Sequence, residues 1–281
     1  MGKKQYKTFT VIQKIINYKD LQLEYFVKGT GSEVIFCMHG HSKSPFDFEF
    51  LASENRTIIS LHLFYHGNSH FPESRIEKNP LQVQEFKALV DVLLEKEKVD
   101  KFHMLAFSQG GRFVLSILPL YAPRLKSVQL ISPDGMDNNS FYNRTSRKKW
   151  ARKLFSNWES NPKSIMKFAY LGKKLKLVRP KVYQFMENLT SDPQTFQRAS
   201  KTWRGFRLVQ PNETEISKAL TDYKIPFKII MGKFDQVIRP PQAYAFAKRI
   251  HQENKVIEIE CGHDFFNEKY RTMLEGVLVF K

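Results

Sequence analysis

The chain has 281 residues, enough for one large domain, or one domain with an insertion, to bury a full core without disulfide staples. Two cysteines, Cys37 and Cys261, exclude a disulfide framework and point to reduced thiols. The formal charge of +17 is uneven: residues 141–210 hold 17 Lys or Arg against three acids (Glu159, Glu187 and Asp192), so the remainder carries only +3.

The amino terminus is basic but no apolar segment follows it, as a secretory signal would require. Gly2 invites an acylation reading, but Tyr6 stands where that motif needs Ser or Thr. No uncharged apolar stretch is long enough to span a bilayer. These features predict a soluble, cytoplasmic protein.

In chain order, Phe9–Ile15 and Leu21–Val27 read as two strands joined around Asn17–Asp20. Val34–Met38 is a continuous apolar run ending at His39-Gly40, as suits a strand buried on both faces. Thr57–Leu63 repeats the pattern and ends at Tyr65-His66-Gly67-Asn68-Ser69. From Pro80 to Lys98, apolar residues recur at helical spacing. Phe102–Phe107 is the next strand, Gly110–Leu120 the next helix and Leu125–Ser132 the next strand. The alternation resumes with Phe227–Met231, Pro241–Ile250, Lys255–Glu260 and Asn267–Val279. Such alternation predicts an α/β fold with a mostly parallel sheet and helices on both faces. Residues 137–210 break the rhythm. They hold basic and aromatic helical segments, including Lys148–Trp158 and Thr195–Trp203, and read as a helical insertion between core segments 1–136 and 211–281.

Ligands of open parallel sheets bind beyond the carboxyl ends of the strands. After Phe102–Phe107 comes Ala106-Phe107-Ser108-Gln109-Gly110-Gly111, a serine between small residues at a strand-to-helix turn. A hydroxyl needs a base to act as a nucleophile at neutral pH. His263, in Cys261-Gly262-His263-Asp264, follows the last predicted strand. The base needs an acid to set its tautomer and stabilise its charge. Asp235, in Gly232-Lys233-Phe234-Asp235, follows the preceding strand. An oxyanion hole needs two N–H donors, expected from Gln109 after the nucleophile and from His41 in His39-Gly40-His41-Ser42.

These motifs resemble the α/β-hydrolase fold superfamily over the whole chain outside the insertion. The resemblance rests on the His39-Gly40 loop, the Tyr65–Ser69 turn, the elbow at Ser108, Gly232–Asp235 with Pro240 downstream, and Gly262-His263. The order Ser108, Asp235, His263 is that of the superfamily's triad. The resemblance implies a sheet of about eight strands and a cap inserted after the sixth, where residues 137–210 lie. It also implies a capped serine hydrolase acting on an ester or related acyl substrate, with no cofactor. Three positions depart from the pattern. Ala106 replaces the first elbow Gly, Tyr65 stands where Pro or Gly is frequent, and Asp134 follows the sixth strand, where some members place the acid.

Other readings stay open at this stage. Arg112 lies one helical turn after Ser108. The Ser-x-Gly-Gly-Arg sequence is similar to that of a menaquinone-pathway lyase of the superfamily, which would imply a C–C-acting enzyme on an anionic substrate. A non-catalytic binding protein of this fold is the third reading. Phe107, Arg112, Trp150 and Trp203 are expected to contact substrate. The spacing of His62, His66 and His70 invites a metal, but they run from strand into loop with no cysteine or carboxylate cluster, so none is expected. No Gly-x-Gly-x-x-Gly follows a strand, so no dinucleotide is expected. The basic insertion suits an anionic or lipid-like substrate, or contact with an anionic membrane, better than nucleic acid, for which no fold is recognisable.

Overall fold

A computed structural model describes residues 9–137, 145–178 and 180–280. The acylation reading of Gly2 and Tyr6 lies outside the described residues, as do Arg144, Arg179 and the Lys181 side chain.

Eight strands form one sheet in the order β1-β2-β4-β3-β5-β6-β7-β8. They are β1 (Ile12–Tyr18), β2 (Leu21–Lys28), β3 (Glu33–Met38), β4 (Arg56–Leu61), β5 (Phe102–Phe107), β6 (Leu125–Ile131), β7 (Phe227–Gly232) and β8 (Val256–Ile259). β1 and β2 are antiparallel, and β2 is antiparallel to β4. All other pairs are parallel. The apolar runs read from the sequence are these central strands, buried on both faces by flanking helices. The helices of this layer are α1 (Val83–Lys96), α2 (Gln109–Tyr121), α7 (Glu213–Asp222), α8 (Pro240–Arg249) and α9 (Glu268–Val277).

The first strand differs from expectation. It runs to Tyr18 rather than ending at Ile15, because Tyr18 pairs directly with Leu21 across a turn in which Lys19 takes φ 55°. β1 is an edge strand in which only Ile16 is buried, so apolar patterning gave it no anchor. A 3₁₀ segment, Pro45–Leu51, was not foreseen. Ser44 and Asp47 cap it reciprocally, and Phe48 and Leu51 enter the core from it.

The chain divides into two compact units, parted in sequence at Phe71/Pro72, Gln82/Val83, Asp137/Asn138 and Leu208/Val209. The sheet and its helices make the first. The second holds α3 (Lys149–Trp158), α4 (Ser164–Lys174), α5 (Pro180–Ser191) and α6 (Pro193–Gly205). It also takes in residues 72–82, which the sequence reading left in the core. Long-range bonds explain the difference. Leu81 N–H donates to the Gly205 carbonyl, and Arg207 donates to the carbonyls of Ile76 and Glu77. The Glu77 carboxylate accepts from Arg152 (2.7 Å) and Arg204 (3.1 Å). The second unit has its own small core of Ile165, Leu189, Phe196 and Ala199.

Cys37 and Cys261 are both free and buried, and desolvation pushes both thiols up, Cys261 to about 11. Among the described residues no helix is long and apolar enough to cross a membrane.

Candidate active site

β5 is buried along its length and delivers Ser108 at its carboxyl end. Ser108 sits at φ 49°, ψ −118°, a region that side-chain-bearing residues rarely occupy. The surrounding backbone holds it there. Ser108 N–H donates to the Ile131 carbonyl at 3.0 Å, and its own carbonyl accepts from Gly111 (2.9 Å) and Asp134 (2.7 Å). The glycines allow α2 to start in this crowded place. A Cβ on Gly110 would lie 2.2 Å from the Met38 carbonyl oxygen, and one on Gly111 would lie 2.3 Å from the Pro133 Cβ.

The loops after β7 and β8 are stitched together. Phe234 N–H donates to the Cys261 carbonyl at 2.9 Å, and a Cβ on Gly232 would meet the Gly262 carbonyl oxygen at 2.3 Å. That approach brings Asp235 to His263. Asp235 Oδ2 lies 2.6 Å from His263 Nδ1, and His263 Nε2 lies 3.0 Å from Ser108 Oγ. With Nδ1 donating to the carboxylate, Nε2 is the acceptor for the serine O–H. The other carboxylate oxygen accepts from the Val237 (2.8 Å) and Ile238 (3.0 Å) N–H groups. Burial alone would raise the Asp235 carboxyl. The bond from His263, its charge and the Ile238 N–H outweigh burial, and hold Asp235 below the usual carboxylate range. The Phe107 ring lies against His263, centroids 5.0 Å apart, and packs on Phe265 and Phe266. It thus supports the imidazole.

Gln109 opens α2, where backbone N–H groups have no partner within the helix and the helix dipole favours negative charge. Its side-chain amide is buried, and among the described residues neither of its polar atoms has a partner. The loop carrying His41 runs directly over the elbow, since a Cβ on Gly40 would sit 3.0 Å from the Ser108 Cβ. Two histidines brace this loop: His39, which the sequence offered only as part of a motif, and His66, which its spacing also offered as a metal ligand. His39 Nε2 accepts the Leu63 N–H and its Nδ1 donates to the Gly40 carbonyl. His66 Nε2 accepts the Ser42 N–H and its Nδ1 donates to the Phe64 carbonyl. The rings stand edge to face, 4.7 Å apart. The usable signal was the repeated His-Gly after two adjacent strands. His62 instead bonds Glu24 at 2.5 Å, and among the described residues no group of three or more His, Cys, Asp or Glu gathers as metal ligands do.

The remaining expected residues have other surroundings. Asp134 does not reach His263. It forms a two-pronged pair with the buried Arg112, at 2.7 and 3.0 Å, and also accepts the Gly135 N–H. Trp150 and Trp203 belong to the second unit. Trp203 packs edge-on against Phe155 beside that unit's core, whereas Trp150 is exposed.

The model of the alpha/beta hydrolase fold matches residues 36–270. Lipase 1 of Psychrobacter immobilis is 22% identical, covering 89% of this chain and 82% of the lipase. Among solved structures, the thioesterase domain from the curacin biosynthetic pathway superposes with TM-score 0.63 at 13% identity, covering 96% of this chain and 100% of that one. A thermophilic esterase from Thermogutta terrifontis gives TM-score 0.63 at 16% identity, over 95% and 96% of the two chains. At such identities the superpositions speak to the fold alone. The match over residues 36–270, on a sheet of this strand order, establishes that the chain belongs to the alpha/beta hydrolase fold family.

Proposed function

We propose that the protein is a serine hydrolase that cleaves a carboxylic ester, or a closely related acyl substrate, through an acyl-enzyme. The observation that carries this is the hydrogen-bonded chain Ser108–His263–Asp235, at 3.0 and 2.6 Å, with the serine on a strained elbow. Ser108 Oγ attacks the acyl carbon and gives its proton to His263 Nε2. Asp235 stabilises the resulting imidazolium. The backbone N–H groups of Gln109 and His41 hold the oxyanion. The bond from acyl carbon to leaving oxygen breaks as His263 protonates the departing alcohol. Water then attacks the acyl-enzyme with His263 as base, releasing the acid and free Ser108. Asp235 rather than Asp134 is taken as the acid, and the pairing of the Asp134 carboxylate with Arg112 supports that choice.

The ester class is favoured over the lyase reading by Arg112, whose guanidinium is engaged with Asp134 at the base of α2. The names of the similar lipase and esterase point the same way. The 3.0 Å contact of Ser108 with His263 weighs against a non-catalytic scaffold. The test is labelling by a fluorophosphonate probe together with hydrolysis of p-nitrophenyl esters of graded chain length. Wild type is labelled and active, and Ser108→Ala is neither. A folded wild type that takes no label and cleaves no ester overturns the proposal.

A further inference from the structure

The second unit displays apolar side chains that its own packing leaves largely exposed. On α4, Ile165 and Ala169 face inward and are buried, Ile165 in that unit's core. Phe168, Leu171 and Leu175 follow at spacings of three and four, which at the pitch of an α-helix sets them within an arc of about 60° on another face. They are 66%, 54% and 59% exposed. The chain then turns sharply. Lys176 takes φ 58°, and the Leu177 and Val178 N–H groups donate back to the Gly172 carbonyl. This fixed turn presents Leu177 at 79% exposure beside the stripe. α3 repeats the theme with Trp150 exposed among basic residues.

The charge around the stripe has one sign. Within residues 145–178, nine Lys or Arg side chains are exposed, among them Lys167 and Lys174 on α4 itself. The only acid in that segment, Glu159, bonds to Arg204 and is not exposed. A face of this kind repels a second copy of itself. Nucleic acid would satisfy the lysines but offers no hydrocarbon for Leu171, Leu175 and Leu177. An anionic bilayer offers both, with acyl chains for the stripe and headgroups for the flanking cations.

We infer that the α4 face of the second unit docks on an anionic lipid membrane, with Phe168, Leu171, Leu175 and Leu177 inserted at the headgroup boundary and the neighbouring lysines on the lipid phosphates. The docking is peripheral and independent of the hydrolase chemistry, so Ser108→Ala binds as wild type does.

The experiment is co-sedimentation of the purified full chain with phosphatidylcholine vesicles, with and without about a third phosphatidylglycerol, at moderate salt. The wild type binds the anionic vesicles, ignores the neutral ones, and is released as salt rises. Changing Phe168, Leu171 and Leu175 together to serine lowers affinity at least tenfold. The combination Lys167→Gln, Lys173→Gln and Lys174→Gln lowers it on the order of a hundredfold, at roughly fivefold for each cation near the surface. All six positions are exposed, and thermal melting of both variants confirms folding. A folded wild type that does not bind anionic vesicles overturns the inference. So does binding indifferent to the three serines, or a dimer in light scattering that those serines dissolve.

Discussion

The carboxyl end of the sheet and the helical second unit solve opposite problems. At the elbow, backbone meets backbone. Gly40, Gly110, Gly111 and Gly232 each stand where a Cβ would fall within 3 Å of another atom, and Asp235 is held by N–H groups of its own loop and by His263 from the adjacent one. In the second unit close approach matters less than charge. Arg152 and Arg204 are buried on Glu77 and Glu159, and an excess of cations surrounds them on the surface. The lesson is that the first region is intolerant of added volume, whereas the second depends on the pairing of its buried charges. Substitutions can separate the two.

The largest effect is expected from the two acids that follow strands near Ser108. Asp235→Asn keeps the Oδ1 contacts with Val237 and Ile238 but loses the carboxylate that sets the His263 tautomer, and kcat drops roughly 10⁴-fold. Asp134→Asn weakens the pair with buried Arg112, costing about 1–3 kcal/mol of stability while kcat stays within tenfold. Ester turnover and urea unfolding on the same samples distinguish them. Equal losses of kcat would show that Asp134 also serves the imidazole.

Next comes volume. Gly110→Ala places a methyl 2.2 Å from the Met38 carbonyl oxygen, a backbone atom that cannot swing aside. The variant should lose about 3 kcal/mol or more, and with it the Ser108 geometry. Gly276→Ala is the control: among the described residues nothing beyond its own stretch of helix backbone lies within 4 Å of a Cβ there, and on α9 the change should be neutral or stabilise by up to about 1 kcal/mol. Melting curves of both variants make the comparison.

That contrast also explains what could be read in the sequence. β3, β5, β6 and β7 are legible because strands buried on both faces are rich in apolar residues, and each ends where a small or polar residue must sit. The placing of Ser108, Asp235 and His263 at the carboxyl end of the sheet was legible because each follows a strand within a few residues: Ser108 directly after β5, Asp235 after β7 and His263 after β8. Residues 72–82 were not, because their place depends on carbonyls accepting from Arg207 and on Glu77 meeting Arg152 and Arg204, pairings with no local pattern. The mate of Arg112 was equally hidden: nothing in the helix reports that Asp134, 22 residues away, will reach it. The exposure of Phe168 and Leu171 was hidden too, since periodicity marks an apolar face without saying what covers it.

In the second unit, charge is the point to break. Arg204 is buried and bonds both Glu77 and Glu159. Arg204→Met keeps the length of the side chain and removes the charge, leaving Glu159 partly buried opposite no guanidinium. A loss of about 2–3 kcal/mol is expected, somewhat below the range for a fully buried pair because Glu77 is half exposed. Hydrogen exchange of α6 amides should rise well before that of β5 amides. A uniform rise across both would show that the two units unfold together.

The smallest effect tests the histidines that brace the oxyanion loop. Desolvation, reinforced by the nearby His66, pushes the His39 pKa well below its ordinary value. His39 is therefore neutral in the folded protein under conditions where an unfolded histidine, at about 6.5, begins to protonate. Above that pH both states are neutral and the residue contributes no pH dependence. As pH falls below it, the unfolded chain binds a proton that the folded chain refuses, so stability falls by up to about 1.4 kcal/mol per pH unit. His39→Gln keeps an acceptor for the Leu63 N–H and removes the titration. The variant should start about 1 kcal/mol less stable at pH 8, yet lose stability more slowly than wild type between about pH 6.5 and 5. Urea unfolding across that range measures both slopes. If they are parallel, His39 takes up its proton without leaving the fold, and the brace on the His41 loop does not depend on its neutral form.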